Sequence, residues 1–188
     1  MQPLIIGSNG WLGTSNSRAR EPDCQPYGFD MDYLVNLSLV KPVPALDARM
    51  EKAGVTIRRA LAPELELVTG WVREKFGSGW ASETTVAFAR QPPTCFLATR
   101  AEKLIGFACH ESIARGFFGP TGVEEAARGE GIGHALLLAC LLDLKTMGYG
   151  YAIIGDVGPS AFYERTVGAT PIPDSAPGVY AGLLKSAD

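Results

Sequence analysis

From residue 55 onward, apolar and polar positions alternate in a way that predicts strands and helices in turn. Residues 55–61 are rich in β-branched side chains and partly alternate, which is typical of a strand. Apolar residues at helical spacing then run from residue 65 to residue 76, and Gly77 marks the end of that helix. A second, short helix is predicted over residues 81–90, where Pro92 and Pro93 end it.

The middle of the chain predicts a hairpin, a further strand and a long helix. Residues 95–100 and 104–110 are strand-like and joined by a tight connection, which indicates an antiparallel hairpin. Residues 117–123 form a third, glycine-rich strand. The predicted helix over residues 134–147 is apolar nearly all round, so we expect it to be buried against both the sheet and a neighbouring element.

The last third of the chain continues the alternation. Residues 151–154 suit a buried central strand. Pro159 stands where a first helical residue is expected, and that helix runs to Val167, with Gly168 as its stop. Residues 169–172 and 179–184 supply two final strands. The chain is therefore predicted to be an α/β protein with a mixed, mostly antiparallel sheet and helices on both faces.

Residues 1–30 show neither a helical nor a strand period of apolar residues, and Gly, Ser, Asn, Pro and Arg dominate there. We interpret them as an irregular extension that precedes a single domain over residues 31–188. Residues 5–13 imitate the glycine-rich opening of a dinucleotide-binding fold. Because no helical period or second strand follows them, that interpretation is rejected.

Composition narrows the function classes. The 188 residues carry 17 Lys and Arg against 20 Asp and Glu, a net charge of −3, without a basic run, which argues against nucleic acid as a partner. The longest apolar stretch is far shorter than the ~20 residues that a membrane-spanning helix needs. No basic residue precedes Arg18, so a signal peptide is not indicated and a cytoplasmic location is expected. Four dispersed cysteines and two histidines predict neither a metal site nor disulfides.

The most informative segment is residues 123–133. Gly129, Gly131 and Gly133 occupy every second position immediately before a helix, so free N–H groups and the helix dipole converge on one spot that suits a phosphate or diphosphate. Arg128 adds a cation beside them. The alternative is a tight turn in which glycine only satisfies backbone geometry. The spacing differs from both the dinucleotide and the P-loop patterns.

This segment resembles the cofactor motif of the GCN5-related N-acetyltransferase superfamily, Gln/Arg-x-x-Gly-x-Gly/Ala. Here it reads Arg128-Gly129-Glu130-Gly131-Ile132-Gly133, and Val123 stands five residues earlier. Downstream, Phe162-Tyr163-Glu164-Arg165 with Gly168 is similar to the family's Phe-Tyr-Glu-Lys-x-Gly-Phe signature. The resemblance follows the element order of residues 55–184 and is strong over residues 117–170.

The resemblance implies acetyl-CoA as cosubstrate, a sheet whose central strands splay apart, and a set of cofactor-binding residues. The loop would bind the diphosphate through its backbone, and the preceding strand would pair with the pantetheine arm. The implied cofactor-binding residues are Thr121, Gly122, Val123, Arg128, Gly129, Gly131, Ile132, Gly133, His134, Asp156 and Phe162. Asp156 departs from the pattern, because relatives often have Asn at that place.

Catalytic roles follow from the same resemblance. The N–H of Val123 would stabilise the negative charge that develops on the thioester oxygen. Tyr163 would protonate the departing thiolate, since a phenol with a pKa of ~10 stays protonated at neutral pH. Alternatively, Tyr163 is an ordinary aromatic residue that packs in the core. Relatives often carry a carboxylate base on the strand before the loop, but residues 117–122 contain none.

The candidate bases are therefore Glu111 and Glu83, with His110 behind them, and each has an alternative as a solvated polar residue. Trp71 and Phe76 are expected to pack in the core, whereas Trp80 is a candidate for a ligand cleft. No cysteine is placed to form a covalent intermediate.

The resulting hypothesis is an N-acetyltransferase in which a small-molecule or peptide amine attacks acetyl-CoA directly in a ternary complex. The alternative is a non-catalytic acyl-CoA-binding module of the same fold. The sequence does not identify the acceptor. The resemblance also implies a possible homodimer formed through the terminal strands.

Overall fold

A computed structural model describes residues 31–184, so the extension predicted over residues 1–30 lies outside the described residues. The helices are α1 (Pro44–Lys52), α2 (Leu65–Phe76), α3 (Ser78–Phe88), α4 (Ile132–Thr146) and α5 (Ser160–Val167). The strands are β1 (Tyr33–Asn36), β2 (Val55–Arg59), β3 (Cys95–Arg100), β4 (Lys103–His110), β5 (Phe117–Val123), β6 (Tyr151–Ile154) and β7 (Thr170–Pro171).

These strands form one seven-stranded sheet in the order β2-β3-β4-β5-β6-β1-β7. Every neighbouring pair is antiparallel except β5 and β6, which are parallel. Helices pack on both faces. The predicted mixed, mostly antiparallel α/β fold is thus confirmed.

The two central strands β5 and β6 part after a short contact. They pair only where Phe117 and Phe118 lie opposite Ile153 and Ile154. Strand β5 nevertheless stays paired with β4 as far as Val123. Among the strands of residues 31–184, none pairs with the other edge of β5 over its second half. A gap opens there between the two strands, and the sheet is splayed as predicted.

Successive side chains of a strand point to opposite faces, and β4 shows how this divides the core. Phe107 and Cys109 point into a cluster with α2 and α3. Ala108 points into a larger cluster with α1 and α4, and Ile105 joins that cluster because the register between β3 and β4 shifts at this residue. Helix α4 packs against both the sheet and α1, as its apolar sequence predicted.

A polar network fixes α4 on the sheet. Asp143 of α4 accepts a hydrogen bond from the guanidinium of Arg59 on β2, and its other oxygen lies 2.8 Å from Nε2 of His110 on β4. The Arg59 guanidinium also lies 4.7 Å from the ring centroid of Phe96. Because these residues come from α4, β2, β3 and β4, the network holds the helix in one position relative to the strands.

Two features of the fold differ from the sequence predictions. The strand predicted over residues 179–184 is wrong: Gly178 and Gly182 have φ values of 56° and 80°, which interrupt an extended chain, and a single 3-10 turn (Gly178–Tyr180) forms instead. The second difference is helix α1, which the sequence analysis did not predict. It follows strand β1, which lies between β6 and β7. The homodimer through terminal strands stays a prediction.

Within residues 31–184, no helix is long and apolar enough to cross a membrane. Over the same range, no three His, Cys, Asp or Glu side chains come together to hold a metal ion.

The buried histidines predict a pH-dependent stability. Burial lowers the pKa of His110, outweighing the raising effect of Asp143, and burial also lowers the pKa of His134. As the pH falls below the ordinary histidine value of ~6.5, the unfolded chain takes up protons that the folded chain does not, so stability present at pH 7 is lost. We expect the free energy of unfolding to fall between pH 7 and pH 5 by up to ~1.4 kcal/mol per pH unit for each histidine.

Urea unfolding across this pH range measures the effect. The slope should be shallower in His110→Gln, and His134→Gln reports the contribution of the second histidine. A free energy of unfolding that does not change between pH 7 and pH 5 would contradict this prediction.

Candidate active site

A cavity of about 650 Å³ lies where β5 and β6 part. Strand β5 and the start of α4 form one wall through Thr121, Gly122, Val123, Arg128 and Gly133. The end of β6 and helix α5 form the facing wall through Asp156, Phe162 and Tyr163. Helices α2 and α3 and the C-terminal turn close the far end through Phe76, Trp80, Glu83 and Tyr180.

The cavity-side edge of β5 presents backbone groups. Glu124 donates its N–H to the carbonyl of Ile105 on β4 at 2.9 Å. Because successive N–H groups of an extended strand point to opposite edges, the N–H and C=O of Val123 face the cavity edge, and so do those of Thr121. The Nε of Arg128 donates to the carbonyl of Val123 at 3.2 Å. This contact holds the guanidinium at the mouth of the cavity beside the strand edge.

The glycine-rich loop leads directly from this edge into α4. Gly129 and Gly131 have φ values of 82° and 93°, a left-handed conformation that favours glycine. The first helical hydrogen bond of α4 runs from the N–H of Ala135 to the carbonyl of Gly131 at 3.1 Å. The N–H groups before Ala135 thus have no partner within the helix, and the positive end of the helix dipole lies there. An anion is the ligand that such an arrangement fits.

The structure brings only part of the predicted loop to the cavity wall. Arg128 and Gly133 line the cavity, whereas Gly129, Gly131, Ile132 and His134 form the turn and the first helical residues behind it. The Ile132 side chain is buried in the core. Nε2 of His134 is buried and has no hydrogen-bond partner within residues 31–184.

Tyr163 combines burial with an unpaired hydroxyl. The residue is 6% exposed, and its ring packs against Phe162 and Phe118 with centroid separations of 5.0 and 6.2 Å. It lines the cavity, and its hydroxyl has no hydrogen-bond partner in the part of the chain that the structure describes. Burial raises the pKa of Tyr163 to about 12. The phenol therefore stays protonated at neutral pH and is available as a donor to a group inside the cavity.

Carboxylates gather at the far end of the cavity. Glu83, on the inner side of α3, is 8% exposed and lines the cavity together with Asp156. Tyr180 lies beside them: burial first, and then the charges of Glu83, Asp156 and Asp32, raise its pKa. Arg128 lies at the opposite wall. The cavity therefore has a basic side and an acidic side.

Asp156 is held in a strained turn at the end of β6. Its φ is 48°, and its N–H donates to Oδ1 of Asp32 at 3.1 Å. The backbone donor of Asp156 is used in this contact, and the residue lines the cavity. The structure thus brings Asp156 to the predicted site with an acidic rather than an amide side chain.

Glu111 lies away from the cavity, in the turn between β4 and β5. It is 2% exposed, and its carboxylate accepts hydrogen bonds from the Tyr149 hydroxyl and from the N–H of Gly116, the latter at 3.2 Å. The side chain of His110 is fully buried, and its Nε2 contacts the carboxylate of Asp143. Of the candidate bases, only Glu83 is brought to the cavity.

The aromatic residues are distributed between the cavity and the core differently from the prediction. Trp80 lines the cavity, as the sequence analysis suggested, but so does Phe76, which was expected only in the core. Their rings stack at a centroid distance of 5.4 Å. A Cβ at Gly122 would lie 2.5 Å from the Phe76 ring, so glycine is needed for this close approach. Trp71 packs against Phe107 inside the core.

Three cysteines of the described range are buried and none of them lines the cavity. A hydrogen bond with Cys109, together with burial, raises the pKa of Cys95. Burial raises the pKa of Cys140. Cys95 and Cys140 are therefore protonated and enclosed, which makes them poor nucleophiles.

Tyr180 and Asp32 belong to the site and were missed by the sequence analysis. Residue 180 was assigned to a strand, and Asp32 stands more than 120 positions from the turn that it holds. Neither residue lies in a local pattern that indicates a ligand, so no signal in the sequence could have found them.

Comparison with known proteins identifies the fold and the family. A sequence model of the acetyltransferase (GNAT) family matches residues 64–169, more than half of the chain. The chain therefore belongs to this family, which confirms the resemblance. No curated protein sequence matches it significantly.

Similar solved structures share the fold. The glucosamine N-acetyltransferase region of a fungal multi-domain GH3 beta-N-acetylglucosaminidase has a TM-score of 0.63 at 18% identity, covering 76% of this chain and 19% of that chain. A GCN5-related N-acetyltransferase from Sphaerobacter thermophilus has a TM-score of 0.58 at 20% identity, covering 76% of this chain and 48% of that chain. The chain thus spans less than half of the length of these proteins.

Alanine substitutions at two glycines of the loop should change the free energy of unfolding in different directions. Gly131→Ala places a Cβ at a φ of 93° and 3.2 Å from Cδ1 of Leu46, so we expect it to lower the free energy of unfolding by roughly 1–2 kcal/mol. Gly133→Ala places its Cβ 3.8 Å from Val123, an ordinary contact within a helix, and should be neutral or stabilising by up to ~1 kcal/mol.

Urea unfolding of both variants without ligand compares them directly. Equal destabilisation by the two substitutions would show that the loop does not have the described backbone conformation.

Proposed function

We propose that this chain transfers an acetyl group from acetyl-CoA to an amine, by direct attack of the amine within a ternary complex. The observation that carries this proposal is the buried Tyr163, whose hydroxyl has no hydrogen-bond partner among residues 31–184, in the cavity lined by the second half of β5 and by Glu83. Membership of the acetyltransferase (GNAT) family supports acetyl-CoA as the donor.

The site residues fit the parts of acetyl-CoA. The N–H groups at the start of α4 and the Arg128 guanidinium suit a diphosphate. The backbone groups of Thr121 and Val123 suit an amide-bearing pantetheine arm, which would add to β5 as an extra strand does. The thioester is then expected beyond Val123, inside the cavity. Acetyl-CoA supplies the activated acyl group, and the protein supplies position and proton transfer.

The proposed reaction removes two protons from the acceptor nitrogen and delivers one proton to sulfur. Glu83 accepts the first proton from the acceptor ammonium, so that the amine nitrogen forms a bond to the thioester carbon. The Val123 N–H donates to the thioester oxygen as negative charge develops there. The adduct nitrogen gives its second proton to solvent, the carbon–sulfur bond breaks, and the Tyr163 hydroxyl donates its proton to the departing thiolate. Solvent then reprotonates Tyr163 and takes up the proton from Glu83.

The acidic end of the cavity favours a cationic acceptor. Glu83 and Asp156 both line it, beside the stacked rings of Phe76 and Trp80. Carboxylates attract an ammonium group, and aromatic faces add a cation–π contribution. We therefore propose a small-molecule or peptide amine that enters from this end, opposite the side that fits the diphosphate.

Tyr163→Phe tests the acid. We expect kcat to fall by ~10²- to 10⁴-fold, because the thiolate then leaves without a proton donor, while the affinity for acetyl-CoA changes little. Thiol release from acetyl-CoA with a panel of polyamines, aminoglycosides and peptide amines measures the rate. The control is Tyr151→Phe, since Tyr151 is an exposed residue of β6. Binding of CoA without turnover for any amine would instead favour a non-catalytic acyl-CoA-binding module.

Glu83→Gln and Glu111→Gln separate the two candidate bases. Glu83→Gln should lower kcat/KM for the amine by ~10²-fold or more at pH 7. Glu111→Gln should leave the rate per folded molecule unchanged. Its free energy of unfolding should fall by about 1–2 kcal/mol, because the amide oxygen still accepts from Tyr149 and Gly116 but without the charge that strengthens these hydrogen bonds. Loss of turnover in Glu111→Gln at full folding would reverse this assignment.

A further inference from the structure

Helix α1 contributes an arginine to the glycine-rich loop. Nη2 of Arg49 donates to the carbonyl of Gly129 at 3.0 Å. A Cβ at Gly131 would lie 3.2 Å from Leu46 and 3.4 Å from Nη1 of Arg49, so α1 packs directly on the loop. Helix α1 precedes residue 64, where the family match begins. Membership of the family therefore assigns no role to Arg49.

The contact orients a peptide group of the loop. In a planar trans peptide, the C=O of one residue and the N–H of the next point in opposite directions. Because Arg49 holds the Gly129 carbonyl toward α1, the N–H of Glu130 points away from α1. Gly129 has a left-handed φ of 82°, and glycine changes such angles at little cost. Without the guanidinium, the Gly129 carbonyl loses the side-chain hydrogen bond that fixes the direction of this peptide group.

The charges around the loop agree with an anionic ligand. Arg49 lies on one side of the turn, and Arg128 lies at the cavity mouth on Val123. The one carboxylate within the turn, that of Glu130, is paired with Arg100 of β3. Its negative charge is thus compensated by an ion pair.

We propose that Arg49 is a positioning residue that holds the glycine-rich loop in its diphosphate-binding conformation and so sets the affinity for the CoA donor. This inference rests on the proposed function, because it takes the loop as the diphosphate site. A loop that is already ordered loses less conformational entropy when the ligand binds. Arg49 therefore acts on the nucleotide part of the donor and not on its acyl part.

The test compares CoA with pantetheine, which lacks the diphosphate and the nucleotide. In Arg49→Ala we expect the dissociation constant for CoA, measured by calorimetry, to rise about tenfold, while that for pantetheine stays unchanged. The KM for acetyl-CoA should rise in parallel with little change in kcat. Arg49→Lys keeps a charged donor and should recover most of the affinity.

The matched control is Lys52→Ala, which removes one positive charge from the exposed side of the same helix. A dissociation constant for CoA that rises equally in Lys52→Ala and Arg49→Ala would overturn the proposal in favour of a general charge effect. Equal weakening of CoA and pantetheine in Arg49→Ala would also overturn it, since the effect would then not concern the diphosphate. Should Arg49→Ala fail to fold, a normal CoA affinity in folded Arg49→Gln, which loses the guanidinium, would overturn the proposal.

Failure of the proposed function gives a different result. If the unaltered protein binds no CoA at all, both the proposed function and this inference are overturned. If it binds CoA and the Arg49 variants bind it equally well, only the inference is overturned.

Discussion

The site depends on one constraint in the sheet: β5 is paired with β4 along its length but with β6 only at Phe117 and Phe118. Two strands that part in this way leave one edge of β5 without a partner and open a space between layers that are otherwise close-packed. The backbone of Thr121 and Val123 faces that space. The phenol of Tyr163 reaches it from the facing wall, held between Phe118 and Phe162. If the pairing continued, the cavity would be filled by the sheet.

The N-terminal segment stabilises both walls of this space from outside the region that matches the family. Strand β1 lies between β6 and β7, and Asp32 at its start holds the turn of Asp156. The Tyr33 hydroxyl donates to Glu164 of α5, the residue after Tyr163, at 3.3 Å. Arg49 holds the glycine-rich loop on the opposite wall. One segment therefore supports the helix of Tyr163, the turn of Asp156 and the proposed diphosphate site.

The sequence predicted best what is encoded by neighbouring residues. The loop of residues 128–133 and the helix that follows it could be derived from short spacings, and the resemblance of residues 162–168 to a family signature pointed to Tyr163. The sequence could not distinguish Glu83 from Glu111 as the candidate base. The fold brings the Glu83 carboxylate to the cavity, whereas it buries the Glu111 carboxylate against Tyr149. Asp32, Arg49 and Tyr180 reach the site through pairings between distant segments. The patterns around them predict only secondary structure, and at residue 180 they predicted it wrongly.

The chemistry of the cavity explains why a phenol suits the position of Tyr163. A carboxylic acid has an ordinary pKa of ~4, so at neutral pH it would be ionised there unless burial raised that pKa by ~3 units. Burial instead keeps the phenol neutral, with a pKa of about 12. So weak an acid keeps its proton in the resting site and can offer a hydrogen bond to a group inside the cavity. In the proposed reaction, this donor stabilises the sulfur as the carbon–sulfur bond breaks.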